Sequence, residues 1–552
     1  EVADVDLAEI PQMEPVRLRL LEKAKGGYSQ FLIQQGDDPL VRWGAARSLV
    51  RLGDIQALLG DVPAAEGSYR KAAAELADLV KHDTSNVDFQ RDLARADHGF
   101  GVLLKDANRF EQGEAVLREA IRLRAAIAQN PDPTAEDRQA LADSRYQLGA
   151  VLARKGDARA EDLAAYQEAL DVQAALVQQY RDRPEYRTRL ARYRNNLGML
   201  ENASGHLENA VLTFEGTIEL LRPLLQGPGA LPAARWQFAR ASNNLATLIL
   251  RTRRAQAGAL LGRAENLLRA LTTEFPAVAS YAVELAAVEY NLGLFARPKQ
   301  QPQAAATVSK EAVAAFNESA RLLESLKRRF PGTPAYRLKL ATSLVALNDE
   351  LAAASPAGAE AALVKALDEQ KALLAEYPGV PEYQRVVARG HYQLGMLLLA
   401  KCKKPKDAVI QAEAARTLYK QLLEANLESG PDARMLGEDQ FLLTHALIGA
   451  DRLTDAVAAA EQIPALRPDD PNGDVVAAAL LVRCALAAAQ THDGQRFAAD
   501  TLNRAVGILS NGVRAKRIRD RHRLDNQGLA PLRDRDDFKT LRDSLPESVR
   551  TG

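Results

Sequence analysis

The chain has 552 residues, of which 47% are apolar and 26% charged. This composition belongs to a folded chain, not a disordered one. Lys plus Arg number 72 and Asp plus Glu number 72, so no basic excess marks the chain as a bulk nucleic-acid binder. The length exceeds one ordinary domain, a limit that a repeat array escapes because its core grows along one axis.

A unit of about 48 residues recurs along the chain, the mark of a solenoid whose units pack on their neighbours. Its signature is an Ala followed seven residues later by a small residue: Ala46/Gly53, Ala94/Gly101, Ala142/Gly149, Ala191/Gly198, Ala239/Ala246, Ala286/Gly293, Ala341/Asn348 and Ala388/Gly395. Five residues before the Ala stands an aromatic in several units: Phe89, Tyr186, Tyr281, Tyr336 and Tyr383.

In chain order, residues 1–36 read as an N-terminal extension and lead-in helix. Residues 37–428 read as eight long helix pairs, residues 429–512 as shorter pairs and residues 513–552 as a C-terminal cap. Within one unit, Pro184 opens a segment whose apolar positions Tyr186, Leu190, Tyr193, Leu197 and Leu200 lie three and four apart, on one helical face. Gly205 punctuates, and Leu207, Ala210, Val211, Phe214, Ile218 and Leu221 make a second amphipathic helix. Small residues at the repeated Gly position let the paired helices approach closely. Turn signals stand at Gly60-Asp61, Asn108-Arg109, Gly156-Asp157, Gly205-His206 and Asp451-Arg452, and second helices stop before Pro276, Pro331 and Pro378. The longest insertions are Gln226–Pro232 and Arg297–Pro302. No stretch shows strand alternation. The predicted fold is all-α: a right-handed α-solenoid of about twenty long helices.

Chemistry-bearing motifs are absent. Cys402 and Cys484 form no CxxC pair and read as buried thiols. The seven histidines include no pair spaced i, i+4, so no helix offers a two-His metal face. No metal site, cofactor fingerprint or catalytic constellation is predicted. Val475–Ala489 is the longest apolar run; Arg483 interrupts it, and no membrane-spanning segment is predicted. The chain opens on Glu1 with no signal-peptide pattern and is expected to be a processed or excised piece of a longer one. The basic stretch Arg514, Lys516, Arg517, Arg519, Arg521 and Arg523 reads as a solvated helix face of the cap, with anionic lipid or another acid as the alternative.

The unit with Leu197-Gly198 in its first helix and Gly205-His206-Leu207-Glu208-Asn209-Ala210 at its turn resembles the tetratricopeptide repeat (TPR). Asn195-Asn196-Leu197-Gly198 and Asn243-Asn244-Leu245-Ala246 are similar to the variant found in kinesin light chain. The period here is longer than the usual 34 residues, so longer helices are expected. Three segments in order resemble the repeat region that follows the kinase domain of bacterial membrane-anchored serine/threonine kinases. They are Pro11–Pro15 with Leu20–Ala24, Tyr28, Phe31 and Leu32; Arg51–Gln56 with Leu59-Gly60, Ala64–Glu66 and Tyr69–Ala72; and Leu529–Arg533 with Asp537, Phe538 and Leu541. The kinase motifs themselves are missing, and His522-Arg523-Leu524-Asp525 has the wrong order for a catalytic loop. No catalytic residue carries over.

One constellation remains. Directly after the marker Ala, Arg recurs at Arg47, Arg95, Arg192, Arg240 and Arg389, and four positions on lie Arg51, Gly99, Asn196, Asn244 and Gln393. The spacing puts each pair on one helix face. By the TPR resemblance these positions line a concave groove, where guanidinium forks a carboxylate and carboxamide satisfies extended backbone. The candidate groove set is Arg192, Asn196, Arg240, Asn244, Arg95, Arg389 and Gln393. The other reading pairs these arginines with Asp or Glu of adjacent helices. The expected function is a non-catalytic protein-interaction scaffold that binds a protein or peptide partner. The alternative is a sensory or regulatory region of a transmembrane kinase, binding a peptide or small ligand. Its expected location is extracytoplasmic if tethered behind a kinase membrane helix, otherwise cytoplasmic. Partner identity and oligomeric state are not legible.

Overall fold

Helix is the only regular secondary structure among the described residues, and it falls into antiparallel pairs that follow the repeat. The computed structural model describes Lys23 and residues 38–58, 61–155, 159–225, 231–297, 308–425, 430–466, 470, 472–489 and 494–547. The expected lead-in helix, the body of both insertions, and Gly60 and Gly156 with Asp157 lie outside them. The chain divides into two units, Glu1–Phe295 and Ala296–Gly552.

The first unit carries α1 (Pro39–Leu58), α2 (Val62–His82), α3 (Val87–Asp106), α4 (Phe110–Ala128), α5 (Ala135–Lys155), α6 (Arg159–Gln179), α7 (Pro184–Ala203), α8 (Leu207–Leu221), α9 (Pro232–Ile249) and α10 (Arg254–Glu274), and ends with α11 (Ala279–Ala296). The second carries α12 (Lys310–Arg329), α13 (Pro334–Leu351), α14 (Pro356–Glu376), α15 (Pro381–Ala400), α16 (Pro405–Ala425), α17 (Gly430–Gly449), α18 (Leu453–Leu466), α19 (Gly473–Ala488), α20 (Gly494–Arg514) and α21 (Asp536–Asp543). The fold is all-α, a run of long TPR-like helix pairs.

Local chemistry sets the helix ends. Pro184, Pro232, Pro334, Pro356 and Pro381 occupy first turns, where the missing N–H costs nothing and φ is already helical. Asn86 caps α3 by accepting from the N–H groups of Asp88 and Phe89. Asn108, Gly205 and Asp451 turn the chain with positive φ, as the turn signals required. At the far end of α10, α12 and α14, the N–H groups of Phe275, Phe330 and Tyr377 donate to the carbonyls of Leu271, Leu326 and Leu373. Proline follows each and stops the ladder.

Those three aromatics explain the tyrosine before the marker Ala. Phe275 meets Tyr281 at 6.1 Å, Phe330 meets Tyr336 at 6.2 Å and Tyr377 meets Tyr383 at 5.9 Å, all edge-to-face. Each pair staples the end of one second helix to the start of the next first helix.

The marker residues hold the paired helices together. Ala46, Ala94, Ala142, Ala191, Ala239 and Ala388 are fully buried. In the first four units the glycine seven residues on receives a large side chain from the partner helix. A Cβ at Gly53 would stand 3.0 Å from Tyr69, at Gly101 2.6 Å from Leu117, at Gly149 2.9 Å from Tyr166 and at Gly198 2.8 Å from Phe214.

Within each unit the two layers differ. First helices of successive pairs touch directly: α1 on α3, α3 on α5 and α7 on α9, then α15 on α17 and α17 on α19. Short side chains bridge them, such as Asn195 to Gln237 and Asn291 to Asn243. Second helices reach each other through long ion pairs, Arg118 to Glu161 and Lys327 to Glu369. The closely spaced first-helix layer is therefore the inner one.

The basic stretch after α20 departs from the expected solvated helix face. Helix α20 stops at Arg514, and Lys516 takes a positive φ. Arg517 forks the nearly buried Asp474 at 2.7 and 2.8 Å. Arg523 donates to Asn472, and Arg521 to the carbonyl of Leu545. These arginines fasten the terminal segment to the start of α19 and to its own end. Leu529, Leu532 and Phe538 complete the burial. Cys484 is buried, but Cys402 is only half-buried, in the turn just past the end of α15.

Candidate functional site

The inner layer of the first unit holds most of the sequence-predicted site residues, and each is placed by the register of its helix. Arg192 and Asn196 lie one turn apart on α7, Arg240 and Asn244 one turn apart on α9. The Arg192 guanidinium lies 5.3 Å from the Tyr146 ring and 5.4 Å from the Tyr193 ring, and Asn196 donates to the Tyr146 hydroxyl. Arg240 lies over Trp236 at 5.4 Å. Burial raises the Tyr146 hydroxyl, while Arg192 and then Arg240 pull it down, so both cations act on one spot. Asn244 is half-buried and its carboxamide makes no hydrogen bond among the described residues.

The other three predicted residues stand apart from this group. Arg95 on α3 points back to Asp54 at 2.9 Å. In the second unit, Arg389 on α15 is exposed without an ion pair among the described residues, and Gln393 is half-buried.

Ion pairs run through the layer in a regular register. The residue after one marker Ala meets the residue two before the next: Arg47 and Asp92 at 3.4 Å, Asp143 and Arg189 at 2.8 Å, Arg240 and Glu284 at 3.7 Å. Charge is reversed in the middle pair. Asp143 stands where its neighbouring units carry Arg, and it gathers Arg189, Arg192 and the Tyr193 hydroxyl. Burial works against ionisation of Asp143, but Arg189, Tyr193 and Arg192 outweigh it and hold the carboxyl below its usual range. Pairing with adjacent helices and exposure toward the inner face thus coexist: the Arg192 side chain remains 41% exposed.

Beside this row the N-terminal halves of α7, α9 and α11 frame a cavity of about 500 Å³. Arg189 and Arg192 of α7, Pro232, Trp236 and Gln237 of α9, and Tyr281 of α11 line it. Trp236 and Tyr281 meet edge-to-face at 5.8 Å. Sequence reasoning missed Asp143, Arg189, Trp236 and Glu284. A signal for three of them existed: opposite charges about 45 residues apart, one repeat less three positions. Trp236 carried none.

Among the described residues no group of three or more His, Cys, Asp or Glu is placed to hold a metal ion, and no helix is long and apolar enough to cross a membrane. His98 is pushed down to about 3 by burial and then by Arg124. It bonds the fully buried Ser144 hydroxyl, so this Ser-His contact belongs to the core.

No family model matches the chain, and no curated protein does. Solved structures superpose loosely on it. BtubC from P. vanneervenii aligns at 17% identity over 46% of this chain and 91% of its own, with a TM-score of 0.36. A human IFIT1 dimer with m7Gppp-AAAA aligns at 13% identity over 81% and 95%, with a TM-score of 0.29. Yeast Tom70 aligns at 11% identity over 99% and 97%, with a TM-score of 0.28. At such scores the likeness carries no argument about function.

Proposed function

We propose that the chain is a non-catalytic interaction scaffold whose first unit holds an extended segment of a partner protein along its inner helix layer. The observation that carries this reading is the row Arg192, Asn196, Arg240 and Asn244. It repeats Arg and Asn one turn apart on two adjacent first helices, with the Arg192 side chain 41% exposed and the Asn244 carboxamide without a hydrogen bond among the described residues. Guanidinium groups take carboxylate, and a carboxamide takes one backbone donor and one acceptor together. Equivalent side chains on adjacent first helices give an extended chain a regular set of contacts.

The test starts from a partner recovered by pull-down and fragmented to the segment that binds. Asn244→Ala removes a group that the fold does not use, so affinity should drop about fivefold or more while the melting temperature stays put. Arg192→Ala with Arg240→Ala should weaken binding at least tenfold, with some loss of stability because Asp143 and Glu284 lose partners. Unchanged affinity in both variants would refute the reading. The ordered segments resembling the repeat region of membrane-anchored kinases favour a regulatory setting for the same surface. That setting predicts a kinase domain and a membrane helix encoded upstream of residue 1.

A further inference from the structure

We propose that the cavity framed by α7, α9 and α11 is a binding site for a small organic anion, a carboxylate carried on an apolar or aromatic body. This goes beyond the scaffold reading, because the site is a half-open cavity at the N-terminal end of the first helices that shares only Arg192 with the row. Its volume of about 500 Å³ lies in the range of small-molecule sites.

Three features set the ligand class. The walls are apolar and aromatic: Pro232, Trp236 and Tyr281. The wall carries two guanidinium groups, Arg189 and Arg192, against the carboxylate of Glu185, and Asp143 behind the wall pairs with both arginines while leaving their side chains 39% and 41% exposed. Among the buried polar side-chain atoms of the lining residues, those left without a partner are donors. Arg192 Nε and Trp236 Nε1 are both buried without an acceptor among the described residues. A site with spare donors and cations asks its ligand for acceptor oxygens and negative charge. Asp143 fits the scheme as a positioning residue. It grips Arg189 and Arg192 yet is absent from the cavity wall, so it aims them without occupying the space. Helices α7 and α9 also begin at this end, with Pro184 and Pro232 on the wall, and their dipoles add to the attraction.

The chain holds two tryptophans, so Trp43→Phe leaves Trp236 as the sole indole and its fluorescence reports the cavity. In that full-length background, 4-phenylbutyrate should titrate saturably with a Kd of about a few millimolar or tighter. The neutral 4-phenylbutyramide should bind at least tenfold more weakly. Calorimetry on the unaltered chain repeats the measurement if Trp43→Phe folds poorly. Arg189→Gln should abolish the preference for the acid over the amide. Ala233→Phe, which fills the cavity, should abolish binding of both. Two further probes separate the sources of the carboxylate. Binding of N-acetyl-Ala-Phe with a free C-terminus, but not of its amide, assigns the site to a chain end. Binding of phenylbutyrate alone assigns it to a free acid. No saturable signal from any acid, equal binding of acid and amide, or undiminished binding to Ala233→Phe would overturn the proposal. Loss of partner binding in Asn244→Ala with the cavity results unchanged would leave the two sites separately established.

Discussion

Adding one methyl group at Gly198 tests how tightly the helix pairs are locked. A Cβ there would stand 2.8 Å from two ring carbons of Phe214, against an ordinary carbon–carbon separation of about 3.5–4.0 Å. The ring must retreat by roughly 0.7–1.2 Å on these figures, but Phe214 is fully buried at the interface of α7 and α8. Overpacking of this kind costs about 1–3 kcal/mol. Alanine also gains about 1 kcal/mol of helix propensity over glycine, which masks part of the loss. Gly262 on α10 supplies the correction, since a Cβ there meets nothing within 4 Å. Gly262→Ala should stabilise by about 1 kcal/mol, and the difference between the two variants isolates the packing cost at about 1–3 kcal/mol. The measurement is urea unfolding followed by circular dichroism and, in the Trp43→Phe background, by Trp236 fluorescence. Trp236 lies on the neighbouring α9, so it should also respond to Gly198→Ala, because stability in a repeat array is coupled between neighbours. Equal shifts in the same direction for both variants would refute the locked-interface reasoning.

The remaining predictions concern charge. Asp439 is fully buried with both carboxylate oxygens without a hydrogen-bond partner among the described residues, and burial pushes it up to about 8 against the pull of Arg416. Its ordinary value is 3.8, so between those pH values the folded state holds a proton that the unfolded chain has lost. Stability therefore falls as pH rises across that window, by up to about 1.4 kcal/mol per pH unit. His445, lowered from 6.5 to about 4 by burial and Arg483, acts in the opposite sense between those values, where stability rises with pH. Asp97, pushed up to about 7 by burial and then by Glu119, adds to the decline below that value, so the test lies between about pH 7 and 8, where Asp439→Asn should flatten the slope in melting-temperature scans; an unaltered slope would exclude Asp439 as its source. At the cap, Arg517→Ala leaves Asp474, 2% exposed, without its forked partner and should destabilise by about 1–3 kcal/mol. Hydrogen exchange should quicken first in residues 516–545, and uniform exchange along the chain would contradict that cap model.

The helices, their ends and their pairing were legible because each is settled by neighbours within a turn or two. Apolar residues three and four apart select one face, Pro184 or Pro381 opens a helix, Phe275-Pro276 closes one, and Gly205 turns the chain. The close approach at Gly198 could be read from the repeating position alone, since only a residue without a side chain leaves room for Phe214. What the tertiary structure decided lies between repeats. Asp143 interrupts the arginine series, and only the stacking of α5 on α7 shows it gathering Arg189 and Arg192. Trp236 marks no motif, and becomes a cavity wall because α7, α9 and α11 begin side by side. The basic stretch around Arg517 carries the composition of a solvated surface, yet Asp474, more than forty residues earlier, draws it into the cap. Backbone preferences and amphipathic spacing are local and survive in the sequence as pattern, whereas an ion pair or a cavity wall depends on which distant side chains the packing brings within a few ångströms.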